Sequence, residues 1–382
     1  MTITRRTIGF GLLASALGGC ASGGMLQTFE ATNDQLPSDL LPRANPSYDA
    51  WVSSFRGRAS SRGINQSVLD AAFRNAGFLP GVVDRDRNQT EFTRTLEDYL
   101  AIAASEERVQ NGRAAFRQYG GVLRQLESTY GVDAEIIAAI WGLESSYGER
   151  KGNIPVISST STLAFDGRRG RFFEGQLMAA LRILQNGDIS APLMTGSWAG
   201  AMGHTQFIPT SYEAFAVDFT GDGRRDIWSE DPSDALASAA AYLRENGWSR
   251  GTNWGREVTG SAAGGEVIQP QAGGPRFAVT RNFRVIKRYN NSDSYAIGVG
   301  HLADRIAGGG PLRTSFPPDR NGMTKADRMA LQERLTALGF DTNGVDGVIG
   351  GGSKRAISDY QRSAGLPVTG EASMDLLRQL SQ

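Results

Sequence analysis

The run from Tyr130 to Gly148, Y-G-V-D-A-E-I-I-A-A-I-W-G-L-E-S-S-Y-G, sets a carboxylate on a stripe of apolar side chains. It reads as a helix, with Asp133 suited to the N-cap, Glu135 to the first turn and Gly148 to a left-handed C-terminal cap. Ile137, Ile140, Trp141 and Glu144 fall at i, i+3, i+4 and i+7 and share one face. Apolar surroundings disfavour a charged carboxylate, raise its pKa and keep a proton available near neutral pH. A general acid for glycosidic cleavage has this property. The same spacing also fits a structural glutamate tied to a backbone group or an arginine.

A chain of 382 residues, 40% hydrophobic, can bury a large core and is expected to hold more than one domain. Lys+Arg and Asp+Glu both number 40, so no net field draws it to nucleic acid or an anionic membrane. Two histidines and one cysteine nearly exclude His- or Cys-rich zinc sites and Cys–His catalysis. Arg5 and Arg6 precede a short apolar run, Ile8–Leu17, which is too short to span a bilayer comfortably. Residues 1–20 are therefore expected to be a processing signal and 21–45 a tether. Leu17-Gly18-Gly19-Cys20 resembles a bacterial lipobox, which implies lipidation at Cys20 and export; Ala21 in the next position suggests an outer-membrane destination. Thr4-Arg5-Arg6 with Ile8 resembles, more loosely, a twin-arginine signal.

Helical patterns follow at Tyr48–Gly63, Asn65–Ala76, Phe92–Ala104, Glu106–Gly120 and Gly121–Tyr130, with Asn65 as a cap. Residues 152–170 read as a polar stretch leading into a helix at Phe172–Asn186. Another helix is expected from Thr210 to about Ala216, and Asp234 is placed as the cap of Ala235–Asn246. The Gly-rich stretch 251–276 suits an irregular or β lobe. Phe283–Tyr289 alternates like a strand, Ser294–Ala307 reads as a helix, and Gly308–Met323 reads as linker.

Asp218, Thr220 and Asp222 stand at positions 1, 3 and 5 of an EF-hand-like loop, with Gly223 at its turn and the Arg224 carbonyl at position 7. Position 12 is Ser229, so a later acid such as Asp234 would close a structural calcium site; a metal-free Asx-turn loop is the alternative. Gly247-Trp248-Ser249-Arg250-Gly251 matches the G-x-S-x-G pattern but lacks the strand-to-helix context that the motif requires. Trp198, Phe207, Tyr212, Tyr289 and Tyr295, with Ser197, Gln206 and Asn290, supply rings that stack on pyranoses and polar groups that bond their substituents. Arg168 and Arg169 are suited to carboxylate partners, or else to a solvated turn. His204 and His301 are read as structural.

Four motifs occur in order. They are Trp141-Gly142-Leu143-Glu144, the run Gly196–Pro209 (G-S-W-A-G-A-M-G-H-T-Q-F-I-P), the loop Asp218–Asp226, and Arg288–Ala296 (R-Y-N-N-S-D-S-Y-A). Together they resemble the family B lytic murein transglycosylases over roughly residues 45–307. The resemblance implies a helical, lysozyme-like fold with a glycan cleft and a catalytic role for Glu144. It also implies sugar contacts by Ser197, Gln206, Tyr289, Asn290 and Tyr295, more weakly by Tyr99, Arg168 and Arg169, and a metal loop of Asp218, Thr220, Asp222 and Asp234. Asn343–Gly347, Ser353–Gln361 and Gly365–Gly370 are similar to the small three-helix peptidoglycan-binding domain. There Thr324 is placed as N-cap, Leu331, Leu335 and Leu338 as a first apolar stripe, and Ile357 and Tyr360 as the start of a second.

The fold expected is mainly α: a lysozyme-like domain at 46–310 with a small irregular or β lobe, a linker at 311–323, and a three-helix domain at 324–382. The activity expected is lytic cleavage of peptidoglycan between N-acetylmuramic acid and N-acetylglucosamine. Glu144 acts as acid and then base, leaving a 1,6-anhydromuramyl end. No cofactor is required, and the 218–234 loop offers a place for a structural calcium. Glycan strands are the partner, membrane contact runs only through lipid on Cys20, and a periplasmic monomer is expected. The rivals are a hydrolytic muramidase with Asp166 or Glu174 activating water, a non-catalytic wall-binding protein, and a Ser249 hydrolase.

Overall fold

The computed structural model describes residues 36–88, 95–259 and 265–381. Cys20, the expected signal at 1–20 and the tether up to residue 35 lie outside the described residues. Among those described, no helix is long and apolar enough to cross a membrane.

Helix α1 (Pro46–Ser61) starts where the Asn45 side chain accepts from the Tyr48 amide, with proline in the first turn. Three short helices follow: α2 (Gln66–Phe73), α3 (Pro80–Arg87) and α4 (Leu96–Ala103), the last capped by Thr95. The next element, α5, is one helix from Glu106 to Tyr130, not two. A glycine costs about 1 kcal/mol in a helix interior, but burial of Leu123 and Leu126 beyond Gly120-Gly121 outweighs that cost. Helix α6 (Ala134–Ser145) is buried on nearly every face, with α5 packed along it. Asp133 occupies its N-cap without a side-chain bond, and the helix ends at Ser145, earlier than the Gly148 cap predicts.

The polar stretch 152–170 conceals a core helix. Strand β1 (Ile154–Pro155) pairs antiparallel with β2 (Thr195–Gly196), and α7 (Val156–Asp166) runs buried from Val156 to Ala164. Its hydroxyls are satisfied inside the fold. Thr160 and Ser161 donate to the carbonyls of Val156 and Ile157, while Ser158 and Thr162 accept from the amides of Gly77 and Leu79. A helix of serines and threonines can therefore be interior, which an apolar periodicity cannot reveal. Helices α8 (Gly170–Asn186), α9 (Pro209–Phe215) and α10 (Ser233–Glu245) complete this half. Asp234 does not cap α10; it lies inside the first turn and serves the loop before it.

The Gly-rich lobe is a three-stranded antiparallel sheet of order β3-β5-β4, from β3 (Gly255–Val258), β4 (Glu266–Ile268) and β5 (Arg276–Val279). The strand expected at Phe283–Tyr289 is instead α11 (Arg281–Tyr289). Asn282, Val285, Ile286 and Tyr289 stand at helical spacing, and a buried polar residue at the first of them masks the period. The Asn282 side chain bonds the backbone of Ser249 and Thr252, which makes the G-x-S-x-G segment a braced turn. Helix α12 (Asp293–Ile306) crosses α6 and carries buried residues from Tyr295 to Ala303.

The last domain comprises α13 (Lys325–Ala337), α14 (Gly351–Ser363) and α15 (Met374–Gln379) around Leu331, Leu335, Ile357 and Leu377. Thr324 and Asp327 form a reciprocal capping box. Leu338, placed on the apolar stripe from sequence, is 56% exposed, because α13 ends at Ala337.

Residues 311–323 do not hang free. The amides of Arg313 and Thr314 donate to Glu257, Leu312 and Phe316 pack on the main core, and Met323 is fully buried. Arg328, on α13, is itself buried. Its guanidinium meets Glu97 and Asp98 of α4, Asp319 of the connecting segment, and the carbonyls of Met323 and Gly347.

Candidate active site

Glu144 is the penultimate residue of α6 and faces Tyr295 from the first turn of α12. The Ser292 hydroxyl caps α12 by accepting from the Tyr295 amide, which orients that ring, and the Tyr295 hydroxyl donates to Glu144 Oε1 at 2.6 Å. Burial pushes the Glu144 carboxyl up to about 7, against this one hydrogen bond, which favours the carboxylate. Neither an arginine nor a second acid contributes to that shift. Tyr289, at the end of α11, stacks on Tyr295 with ring centres 6.4 Å apart and planes 12° from parallel. Its hydroxyl donates to the Thr205 carbonyl at 2.7 Å, tying α11 to the loop that carries Gln206. Burial and the neighbouring Glu144 hold both tyrosine hydroxyls well above their ordinary pKa, so they act as neutral donors. Tyr99 of α4 approaches α12 over Gly298, where an added Cβ would come within 2.7 Å of its ring.

The loop between β2 and α9 is tightly folded. The Ser197 amide donates to the Ala201 carbonyl, and Ser197 Oγ accepts from the Ala201 amide at 3.1 Å. Gln206 has a left-handed φ of 51° and donates its amide to the carbonyls of Lys151 and Gly203. Asn290 is buried directly after α11, where its carbonyl accepts from the Ser292 amide. The fold thus gathers Glu144, Tyr289, Tyr295 and Tyr99, with Gln206 next to the residue that Tyr289 holds. Arg168 and Arg169 do not join them: both are engaged with buried Asp86 of α3. Asp166 and Glu174 are likewise paired, with Arg87 and Arg58 respectively.

The 218–234 loop brings carboxylate oxygens of Asp218, Asp222 and Asp234 within 4.8 Å of one another. Asp218 accepts from the amides of Gly221, Asp222 and Gly223, and buried Asp234 accepts from those of Phe219, Thr220 and Asp226. Thr220 donates its hydroxyl to Asp218, which leaves its oxygen lone pairs unused by that bond. Three converging carboxylates and a hydroxyl are the oxygen donors a hard divalent cation prefers. These residues fit calcium.

The Transglycosylase SLT domain profile matches residues 47–267 and 261–304, and the peptidoglycan binding domain profile matches 324–380. The chain belongs to the SLT transglycosylase family. It is 32% identical over 331 residues to membrane-bound lytic murein transglycosylase B of Escherichia coli K12, covering 76% of this chain and 90% of that protein. The structure resembles SltB3 of Pseudomonas aeruginosa in complex with NAG-NAM-pentapeptide, with 41% identity, TM-score 0.69, and coverage of 88% of this chain and 100% of that one. It also resembles Escherichia coli Slt35 in complex with calcium, with 28% identity, TM-score 0.60, and coverage of 69% and 93%.

Two side chains beside Glu144 carry no sequence signal. Arg108 of α5 donates to the carbonyls of Ile102 and Gly142, the latter two residues before Glu144. Tyr147 returns its hydroxyl to the Arg108 carbonyl at 3.0 Å. In the sequence Arg108 is one basic residue among many on an amphipathic helix, and Tyr147 reads as the tail of a helix.

Proposed function

We propose that this peptidoglycan-cleaving lytic transglycosylase works with one carboxylate, Glu144. With Tyr295 donating to Oε1, the acidic proton sits on Oε2. Glu144 passes it to the oxygen linking N-acetylmuramic acid to N-acetylglucosamine, and the bond from that oxygen to the muramyl C1 breaks. The substrate's N-acetyl group stabilises the cationic C1. The Glu144 carboxylate then takes the proton of the muramyl C6 hydroxyl, whose oxygen closes on C1 as a 1,6-anhydro ring. No activated water is needed, so no second acid is needed. The observation that carries this reading is the half-buried Glu144 carboxyl, pushed up to about 7 by loss of solvent, with Tyr295 as its side-chain hydrogen-bond partner among the described residues. Mass spectrometry of products from purified sacculi tests it: anhydro ends are expected, and products heavier by one water would mean hydrolysis instead.

Removing the hydroxyl in Tyr295→Phe takes away a bond that favours the carboxylate, so the Glu144 pKa rises further. The alkaline limb of the pH–rate profile is expected to move to higher pH in the variant. An unmoved limb would separate Tyr295 from the titrating group.

The Asp218, Thr220, Asp222 and Asp234 loop is read as a structural calcium site, which would relieve repulsion among the three carboxylates. Slt35, a structural neighbour, is described in complex with calcium. Calcium is expected to raise the melting temperature of the wild type and to leave that of Asp222→Asn unchanged. Equal shifts in both proteins would remove the loop as the binding site.

Residues 324–382 are read as holding peptidoglycan near the cleft. Cys20 is read as the lipid-bearing mature N-terminus of a protein working in the periplasm at the outer membrane. Cys20→Ala is expected to shift the protein from the membrane to the soluble fraction; an unchanged distribution would rule out that anchor.

A further inference from the structure

The chain immediately after Glu144-Ser145 takes an unfavourable path. Ser146 (φ 51°, ψ 49°), Tyr147 (φ 61°) and Gly148 (φ 96°) are all left-handed, and two of the three carry a Cβ. Each such residue costs about 1–2 kcal/mol. A corner of this kind persists only where its surroundings hold it: Tyr147 donates to the Arg108 carbonyl on one side, and the loop between β2 and α9 holds it from the other.

His204 lies on the loop between β2 and α9 and is 3% exposed. It touches the end of α6 at three points that flank Glu144. Its Nδ1 meets Trp141 Nε1 at 3.1 Å, its backbone carbonyl accepts from Ser145 Oγ at 2.6 Å, and its ring lies so close to Gly148 that a Cβ there would come within 2.6 Å of it. Ser145 Oγ in turn accepts from the Gly148 amide at 3.0 Å, closing the corner. The other side of His204 is anchored, with Nε2 2.7 Å from the Ser229 carbonyl and its own amide 3.1 Å from the Ile227 carbonyl. The partners fix the tautomer. An indole N–H can only donate, so Nδ1 carries the lone pair; a carbonyl can only accept, so Nε2 carries the hydrogen. The imidazole is neutral, and both nitrogens are in use.

We infer that His204 is a positioning residue for the transglycosylase reaction, acting through Trp141 and Ser145 to hold the left-handed corner that aims Glu144. The indole–imidazole bond fixes the third residue before Glu144, and the serine–carbonyl bond fixes the residue after it. Freed of the indole–imidazole bond, the last turn of α6 is held by the serine–carbonyl bond alone and can relax toward an ordinary helix end, and the carboxyl then leaves the line between Tyr295 and the scissile oxygen. Misplacement of a catalytic group by about 1 Å can cost 10²-fold in rate without altering what binds the rest of the substrate.

The test uses the full chain on soluble peptidoglycan fragments. Trp141→Phe removes the donor together with part of a buried ring, so its melting temperature is recorded beside the kinetics; in folded protein kcat is expected to fall about 10- to 100-fold with KM little changed. His204→Leu is expected to fall likewise. His204→Gln, whose carboxamide offers one acceptor and one donor at nearly the spacing of the two ring nitrogens, is expected to recover most of the rate. The double variant His204→Leu/Trp141→Phe should be no worse than the poorer single one, since both remove one link. In ¹⁵N spectra, His204 Nδ1 should show an unprotonated, hydrogen-bonded nitrogen in the wild type, and that hydrogen-bond shift should vanish in Trp141→Phe. Wild-type kcat in Trp141→Phe overturns the proposal, and so does failure of Gln to outperform Leu in folded protein; should the Leu variant not fold, Trp141→Phe alone decides. The inference rests on Glu144 being the acid, and the two fail separately. Full activity of Glu144→Gln would sink that assignment, whereas a fully active Trp141→Phe beside an inactive Glu144→Gln would sink only this one.

Discussion

Glu144→Gln is expected to digest sacculi 10²–10⁴-fold more slowly than the wild type, the range general acid–base catalysis supplies. The substitution keeps the Tyr295 contact, since a carboxamide oxygen accepts the same bond at Oε1. Binding should therefore survive and the loss should fall on kcat; wild-type digestion by the purified variant would refute the assignment. Stability should move the other way at high pH. The Glu144 pKa rises from 4.5 to about 7 on folding, so the native state holds a proton that the unfolded chain releases. That contribution is fully present below pH 4.5 and is lost as the pH rises through about 7. Gln has no proton to lose. Its melting temperature relative to the wild type should therefore improve between pH 5 and pH 8, and a pH-independent difference would mean the carboxyl is not raised.

Arg328→Ala is expected to be the most damaging change outside the cleft. The wild-type guanidinium serves three carboxylates and two carbonyls from a buried position. Its removal leaves Glu97, Asp98 and Asp319 facing one another without a cation, and breaking a buried ion pair from one side typically costs about 3–5 kcal/mol. Urea denaturation should read that loss, and a change within about 0.5 kcal/mol would mean solvent already screens the cluster. Glu97→Gln/Asp98→Asn in the Arg328→Ala background should recover part of the stability, because the penalty lies in the stranded charges.

The helix that carries Glu144 was legible because its signal is local: four residues at helical spacing and a capping position. Tyr289 and Tyr295 were legible as chemistry, but not as a stacked pair on the acid, since that contact joins residues 151 apart in the chain. The hydroxyl-rich α7 and the polar-faced α11 were not legible, because the bonds that let their polar groups be buried come from distant segments. Arg168 and Arg169 show the same limit from the other side. Two adjacent cations read as carboxylate partners or a solvated turn, and the fold supplies buried Asp86 from α3, a partner no local pattern reveals. The connection at 311–323 has a linker's prolines, yet its amides are matched to a glutamate that sequence proximity does not suggest.

The left-handed corner behind Glu144 also bears on how the enzyme fails when warmed. A backbone bend that relies on clamps from another loop loosens once those clamps fluctuate, well before the helices around it come apart. Heating should therefore silence the enzyme at a temperature where circular dichroism still records an intact molecule, and cooling from that point should restore the rate.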